Sequence, residues 1–99
     1  MKLTDIIKGT EYDLSLFSDK HIAELENCIV ERKTNGGGKY YLTCLVRKKE
    51  IKLTPEEVVR QLYLLVLIED YGYSTSRMEL EYEVTFGREK KRADIVIFD

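Results

Sequence analysis

Apolar residues fall at helical spacing in the middle of the chain. The stripe comprises Val58, Val59, Leu62, Leu65 and Val66. Thr54 suits the N-cap of such a helix, and Pro55 suits its first turn, where the missing N–H costs nothing. Glu57 completes a Thr-x-x-Glu capping box, and Gly72 supplies a C-terminal stop. The pattern predicts a helix over about residues 55–70 that buries one face.

A strict alternation follows this helix. The apolar members are Leu80, Tyr82, Val84 and Phe86, and the polar members are Glu79, Glu81, Glu83 and Thr85. A period of two predicts a strand, and a loop at residues 87–90 would return the chain as a hairpin. The return strand, ADIVIFD, is apolar on both faces, which favours a central strand. A central strand needs a neighbour on each edge, so we expect the native protein to continue past Asp99.

The first half of the chain gives weaker signals. Ser18 suits the N-cap of a helix that ends near Glu26, with Ile22 and Leu25 directed inward. The strings CIVERK, TNGGG and KYYLTCLVRKK predict a hairpin, because glycines permit the positive φ angles of tight turns. Residues 1–17 show no clear pattern.

Composition and charge restrict the function classes. A 99-residue chain of 43% hydrophobic and 34% charged residues is a single small globular domain. Its net charge of -2 excludes a generally basic nucleic-acid binder, although local basic patches remain possible. Cys28 and Cys44 lack metal-ligand spacing. The absence of a signal peptide favours the cytoplasm and free, buried thiols, and no apolar run reaches membrane length.

Asp94 is the first candidate for chemistry. It stands at the start of an apolar strand, where a buried carboxylate needs a cation, backbone donors or a metal. Arg92 lies nearby on the same strand face, so an ordinary ion pair is one alternative. A hairpin loop at residues 88 and 89 would place Glu83 opposite Asp94, with Glu81 further along that face. Opposed carboxylates require a cation, a shared proton or a base, whereas a solvated strand face explains the glutamates without any site.

Other charged and aromatic residues allow two interpretations. Glu56 and Glu57 satisfy a helix N-terminus, yet a side chain there can also point across a sheet toward Asp94. The basic clusters are Arg47, Lys48, Lys49, Lys52 and Arg88, Lys90, Lys91, Arg92. Cations beside a metal-binding carboxylate suit a phosphodiester substrate, and solubilising loop charge is the alternative. Most of the seven tyrosines fall at expected core positions, so base stacking is not expected, and His21 is expected to be structural.

The string LTPEEVVRQLYL…YGY…LEYEVTFGREKKRADIVIFD resembles the N-terminal nuclease domain of type I restriction enzyme R subunits. The resemblance covers residues 45–99. It implies an α/β (α+β) fold with a restriction-endonuclease-like core, in which a helix packs on a mainly antiparallel sheet. Residues 1–99 would be a single domain fragment, incomplete at its C-terminus. Residues 1–44 would form a helix and hairpin extension, and residues 45–99 a partial nuclease core.

The resemblance also implies a PD-(D/E)xK active site. Asp94 matches the strand aspartate that binds Mg²⁺, and Glu57 matches the helical acid better than Glu56 does. In the family, the glutamate of a Glu-x-Lys on the next strand shares the metal, and the lysine orients or activates water. No Glu-x-Lys follows Asp94 in this sequence. The string Glu-Lys-Lys at Glu89 precedes the aspartate, so it does not supply the motif. We therefore expect the site to lack half of its parts in this chain.

The function implied by the resemblance is Mg²⁺-dependent DNA hydrolysis in a type I restriction-modification system. The partners would be DNA and the modification and specificity subunits, and ATP would matter only where a translocase domain follows. The 99 residues alone would be inactive. A non-catalytic DNA-binding or subunit-docking module of the same fold is the alternative. A third hypothesis is a small regulatory protein that acts by strand addition at an exposed edge.

Overall fold

The computed structural model describes residues 2–34 and 37–98, with side chains except at residues 34, 37, 38, 84–86 and 89–93. The α-helices in these ranges are α1 (Leu3–Ile7), α2 (Asp19–Asn27) and α3 (Pro55–Leu65). A π-helical turn (Val66–Asp70) continues α3, and a 3₁₀ turn spans Thr75–Arg77. The strands are β1 (Val30–Thr34), β2 (Gly37–Thr43), β3 (Glu50–Lys52), β4 (Met78–Phe86) and β5 (Glu89–Ile97).

The strands form two small antiparallel sheets, in the orders β1-β2-β3 and β4-β5. The predicted α+β class is confirmed, but the prediction of one sheet under one helix is wrong. The predicted long strand through residue 49 ends at Thr43, because the chain turns there. The N–H of Cys44 donates to the carbonyl of Lys49 at 2.9 Å, and Lys48 adopts a left-handed φ of 59°. The chain then returns as β3, which the sequence pattern did not indicate.

Helix α3 contributes to two apolar cores. Its first face joins a core of Leu3, Ile7, Leu14, Phe17, Leu25, Leu42, Leu53, Val58, Leu62 and Leu65. Its second face contributes Leu64 to a smaller core with Cys44, Met78 and Leu80. The predicted stripe is therefore correct but incomplete, because the β4–β5 hairpin covers a further face of the helix. Residues that precede position 45 in the sequence and residues that follow it both contribute to the first core. Strand β2, which precedes that position, pairs with β3, which follows it.

The start of α3 follows the predicted chemistry in part. Thr54 accepts a hydrogen bond from the N–H of Glu57 at 3.3 Å, and Pro55 is the first helical residue. With its π-helical continuation to Asp70, the helix confirms the predicted extent. The carboxylate of Glu57 accepts hydrogen bonds from Arg60 and Gln61, which lie one turn along the helix. The Glu57 carboxylate is therefore paired with residues further along the helix and not with the backbone at the N-cap.

The N-terminal half completes the first core. Ser18 caps α2 by accepting from the N–H of His21, as predicted, and Leu25 is buried. Helix α1 was not predicted; Leu3 and Ile7 are buried, and the N–H of Leu3 donates to Glu26 at 2.8 Å. The β1–β2 hairpin is confirmed, although residues 35 and 36 of its predicted turn lie outside the described residues.

Helix α2 meets the π-helical turn through polar groups. The Nε2 atom of buried His21 lies 3.5 Å from both the Glu69 and the Asp70 carboxylates, consistent with the predicted structural role. A hydrogen bond to Glu69 raises the pKa of Glu24, and the same bond lowers the pKa of Glu69. The two acids therefore share a proton more readily than separate glutamates would.

The thiols differ in environment. Both cysteines are free; Cys44 is buried as predicted, whereas Cys28 is exposed, so the prediction of two buried thiols is wrong for Cys28. Among the described residues, no helix has the length and apolar character needed to span a membrane.

The Thr54 cap gives a direct test of the fold. Thr54→Ala removes the acceptor for the N–H of Glu57, and we expect a loss of about 1 kcal/mol in the free energy of unfolding. That loss corresponds to a fall of about 5 °C in Tm. Thr4→Ala, at an exposed position of α1, is the matched control and should change Tm little. Equal effects of the two substitutions would contradict the capping role.

Candidate functional site

A buried arginine stands at the centre of the candidate site. Arg60 lies on α3, and only 4% of its side chain is exposed. Burial of a guanidinium requires carboxylate partners, because an unpaired charge is costly to desolvate. The guanidinium lies on the side of α3 that meets the β4–β5 hairpin, since its partners there are Glu81 and Asp94.

Among the described residues, four carboxylates surround this guanidinium. The Nη1 atom of Arg60 bonds Glu57 one turn earlier on the helix. The Nη2 atom lies 3.3 Å from Glu56, 3.4 Å from Glu81 and 3.6 Å from Asp94. We call these five residues the acid cluster. Both acids that the family resemblance assigned to the site, Glu57 and Asp94, therefore approach the same cation from different elements.

The register of the second hairpin decides which acid faces Asp94. The loop consists of Gly87 and Arg88, with Phe86 paired to Glu89, so it is shorter than the predicted loop at residues 87–90 and differs from the alternative at residues 88 and 89. Glu83 consequently lies opposite Arg92 and not opposite Asp94. The physical reason is the positive φ of 61° at Gly87, which sets the tight turn one residue earlier.

Glu81 takes the place predicted for Glu83. The pairs Leu80 with Ile95 and Tyr82 with Ala93 put Glu81 across from Asp94. Glu81 has a φ of 56°, which is rare for a residue other than glycine inside a strand. Its carboxylate contacts Arg60 and also lies 3.3 Å from Arg47. Two guanidinium groups thus offset the repulsion between the facing acids.

Glu57 is held more firmly than Asp94. Its side chain is 17% exposed, and its second oxygen accepts from Gln61 at 3.4 Å. Gln61 has no exposed surface, and its own oxygen accepts from the N–H of Leu45 at 3.1 Å. The amide nitrogen of Gln61 also contacts the Cys44 sulfur at 3.3 Å. Gln61 therefore connects the helical acid to the turn that follows β2.

Asp94 is not in a core, which corrects the prediction of a buried carboxylate. Its side chain is 70% exposed, because β4 is the only strand paired with β5 in the described part of the chain. Among the described residues, β5 is therefore an edge strand and not the predicted central strand. The nearby cation is Arg60; the side chain of Arg92 lies outside the described residues.

A small cleft opens beside Asp94. It has a volume of about 150 Å³, and Tyr12 and Tyr63 are among its lining residues, together with Glu56, Arg60 and Ile95. The prediction that most tyrosines belong to the core is wrong. The exposed ones are Tyr12, Tyr63, Tyr71, Tyr73 and Tyr82.

The acid cluster does not fit a divalent metal as it is arranged. Its carboxylates are spread around a guanidinium, and the described residues contain no group of three or more His, Cys, Asp or Glu side chains able to hold a metal ion. The Nε atom of Arg60 is buried and has no hydrogen-bond partner in the described part of the chain. In its present form the cluster neutralises charge and positions Glu57 and Asp94.

Sequence reasoning missed Arg60 and Gln61 because both fall outside the predicted apolar stripe of α3. A signal was present. They lie three and four residues after Glu57, the spacings at which side chains meet on a helix, and Leu64 follows in the same row. Of the basic clusters, Arg47 reaches the site, whereas Lys48, Lys49, Lys52 and Arg88 are exposed, and the side chains of residues 90–92 are not described.

Residues 55–99 match the family model described as Type I restriction enzyme R protein N terminus. The match covers slightly less than half of the chain and confirms the resemblance over this segment. The matched segment contains α3, β4 and β5, and therefore the whole acid cluster. Neither the curated proteins nor the solved structures give a significant match to the chain.

The unequal burial of the two principal acids predicts unequal effects on stability. Glu57→Gln weakens a largely buried charged hydrogen bond and should cost about 2 kcal/mol. Asp94→Asn alters an exposed pair and should cost less than about 1 kcal/mol. Urea unfolding at neutral pH measures both. A cost for Asp94→Asn equal to that of Glu57→Gln would contradict this account of the cluster.

Proposed function

We propose that this chain is part of the nuclease domain of a type I restriction enzyme R protein, which hydrolyses DNA phosphodiester bonds with Mg²⁺. Asp94 is proposed as the metal-binding catalytic acid and Glu57 as the assisting helical acid. Glu56, which is closer to solvent, is the less favoured candidate for the helical role. The family match over residues 55–99 supports the class of protein.

One observation carries the assignment of residues. Glu57 on α3 and Asp94 on β5 are separated in sequence by the rest of the helix and by β4, yet both carboxylates contact Arg60. A structural helix cap would explain Glu57 alone, and a solvated strand end would explain Asp94 alone. Their convergence on one cation supports a common site for the two acids.

The site is incomplete within the 99 residues. No Glu-x-Lys follows Asp94 in the sequence, and the described acids do not form a metal site. We therefore propose that residues 1–99 do not cleave DNA by themselves. The proposed partners are DNA and the modification and specificity subunits, ATP enters only with a translocase domain, and the proposed location is the cytoplasm.

Plasmid cleavage tests the proposal. Residues 1–99 should leave supercoiled DNA intact with Mg²⁺ or Mn²⁺. If the gene extends beyond codon 99 and encodes a Glu-x-Lys on the next strand, the complete gene product should cleave DNA, and Asp94→Ala should reduce cleavage to background. Glu83→Ala is the matched control, because Glu83 faces Arg92 across the hairpin and should not be needed.

Two outcomes would overturn the nuclease assignment. Metal-dependent cleavage by a clean preparation that survives Asp94→Ala would show that the activity belongs to other residues. A gene that continues without a Glu-x-Lys would leave Asp94 without its catalytic companions.

A non-catalytic docking or DNA-binding module is the second candidate. The pairing of Asp94 with Arg60 favours it, because an arginine already neutralises the acid that would otherwise bind metal. Here the complete gene product would not cleave, and the substitution Asp94→Asn would leave its binding to DNA or to a restriction subunit unchanged. Anisotropy of labelled duplex DNA, with and without Mg²⁺, separates the two candidates.

A further inference from the structure

Positive charge is concentrated in one part of the chain. Residues 28–54 contain seven basic and two acidic side chains, a net charge of +5, whereas the rest of the chain has a net charge of -7. This segment includes β1, β2 and β3, and it precedes the residues that match the family model. A strong local excess of one sign, in a chain whose total charge is small, indicates a surface for an anionic partner.

The strand register places basic side chains on one face of the three-stranded sheet. Lys39 on β2 lies opposite Arg32 on β1, and Tyr41 on β2 lies opposite Lys52 on β3. Directly opposed residues of an antiparallel pair share a face, and so do residues two apart on one strand. We call this side of the sheet, with Arg32, Lys39 and Lys52, the basic face. The other side carries Leu42 and packs on the first core.

The charge of the basic face is only partly neutralised. The guanidinium of Arg32 donates two hydrogen bonds to the Glu50 carboxylate, at 2.7 and 3.0 Å. Lys39 and Lys52 are exposed, and neither has an ion-pair partner among the described residues. Like charges that face one another across a sheet are destabilising, and a bound polyanion would offset this repulsion.

The turn that joins β2 to β3 extends the basic face toward the acid cluster. Lys48 and Lys49 are exposed in this turn, and in the described part of the chain neither belongs to an ion pair. The preceding residue, Arg47, lies 3.3 Å from Glu81 of the acid cluster. A single short turn therefore connects the basic face to the candidate site, and a long anionic partner can follow one to the other.

The side chains of the basic face favour contact with phosphates over contact with bases. Tyr41 is the aromatic residue at its centre, and it is partly buried. Since β2 lies between β1 and β3, the ion pair of Arg32 with Glu50 crosses β2 at the level of this ring. Base stacking needs an open aromatic ring, whereas lysine ammonium groups bind phosphates as point charges without reading the sequence. Duplex DNA, which exposes phosphates and hides the faces of its bases, fits this surface better than a single strand does.

We propose that the basic face binds the phosphate backbone of duplex DNA, independently of base sequence and at a surface separate from the acid cluster. The choice of DNA among polyanions rests on the proposed function, whereas the position of the surface rests on the strand register and the charges. Lys39 and Lys52 contact phosphates, and Glu50 weakens binding because it neutralises Arg32. The binding requires neither cleavage nor a metal ion.

Fluorescence anisotropy of a labelled duplex measures this binding directly. Residues 1–99 are titrated into a duplex of about 20 base pairs, with EDTA present, between about 50 and 200 mM salt. Affinity should fall steeply with salt and should be equal for two unrelated sequences. Lys39→Gln combined with Lys52→Gln should weaken binding at least about tenfold at the lowest salt and reduce the salt slope by about two.

Two further variants assign the effect to the basic face. Lys8→Gln combined with Lys20→Gln makes the same change in net charge at exposed positions outside residues 28–54, and it should change affinity and salt slope little. Glu50→Gln releases Arg32 and should strengthen binding about threefold or more, with a salt slope greater by about one. A purely structural ion pair would give no such gain. Far-UV circular dichroism verifies that each variant is folded.

Three results would overturn the proposal. Equal weakening by the two lysine pairs would mean that net charge alone attracts DNA. Tighter binding of a single strand of the same length would indicate base stacking and exclude the duplex as the preferred partner. Salt-sensitive binding to phosphatidylserine vesicles, without binding to the duplex, would assign the surface to a membrane.

A measurement on the wild-type chain covers the case in which the double lysine variant does not fold. Lysines are acetylated with and without duplex DNA, and the modified positions are read by mass spectrometry. Protection of Lys39 and Lys52, but not of Lys8 and Lys20, would support the proposal, and uniform protection or none would overturn it. Because EDTA is present throughout, failure here is distinct from failure of the plasmid assay, which tests the nuclease function.

Discussion

The pairing of one buried guanidinium with carboxylates from two elements is the interaction on which the arrangement of this protein depends. Arg60 lies on α3, and its partners lie both on the same helix and on the second hairpin. In the described part of the chain, the apolar contacts between these elements centre on Leu64, Met78 and Leu80. Hydrophobic contact is not directional, whereas an ion pair restricts both distance and angle. The ion pairs of Arg60 therefore fix the position of the second hairpin relative to α3 more accurately than the small apolar core does.

Local chemistry in the sequence was enough to predict α2, α3 and both hairpins, but not α1 or β3. Thr54 and Pro55 determine the start of α3 wherever the helix packs, and the alternation after Met78 determines β4. Ser18 does the same for α2. For the site, the residues alone left Asp94 and Glu57 with ordinary structural explanations. The family resemblance singled them out, and the structure then brought both to one cation.

Features that depend on tertiary contacts were not predictable in this way. Gly87 moved the hairpin turn by one residue, and this exchanged Glu83 for Glu81 opposite Asp94. Arg60 and Gln61 were missed because nothing in the helix pattern indicates that a second sheet covers them. Asp94 was expected to be buried because an apolar strand was assumed to have neighbours on both edges. Each error concerns what lies across from a residue, which spacing along the chain does not record.

The left-handed backbone of Glu81 has a consequence for sequence variation. A glycine at this position would relax the backbone, but it would remove a carboxylate that contacts both Arg60 and Arg47. An asparagine would tolerate the conformation and keep a polar group while giving up the charge. A residue at position 81 that relaxes the left-handed backbone therefore loses the negative charge, and a glutamate that keeps the charge keeps the unfavourable backbone conformation. Which residue related chains carry there reveals whether selection has preserved the electrostatics of the cluster or only the shape of the hairpin.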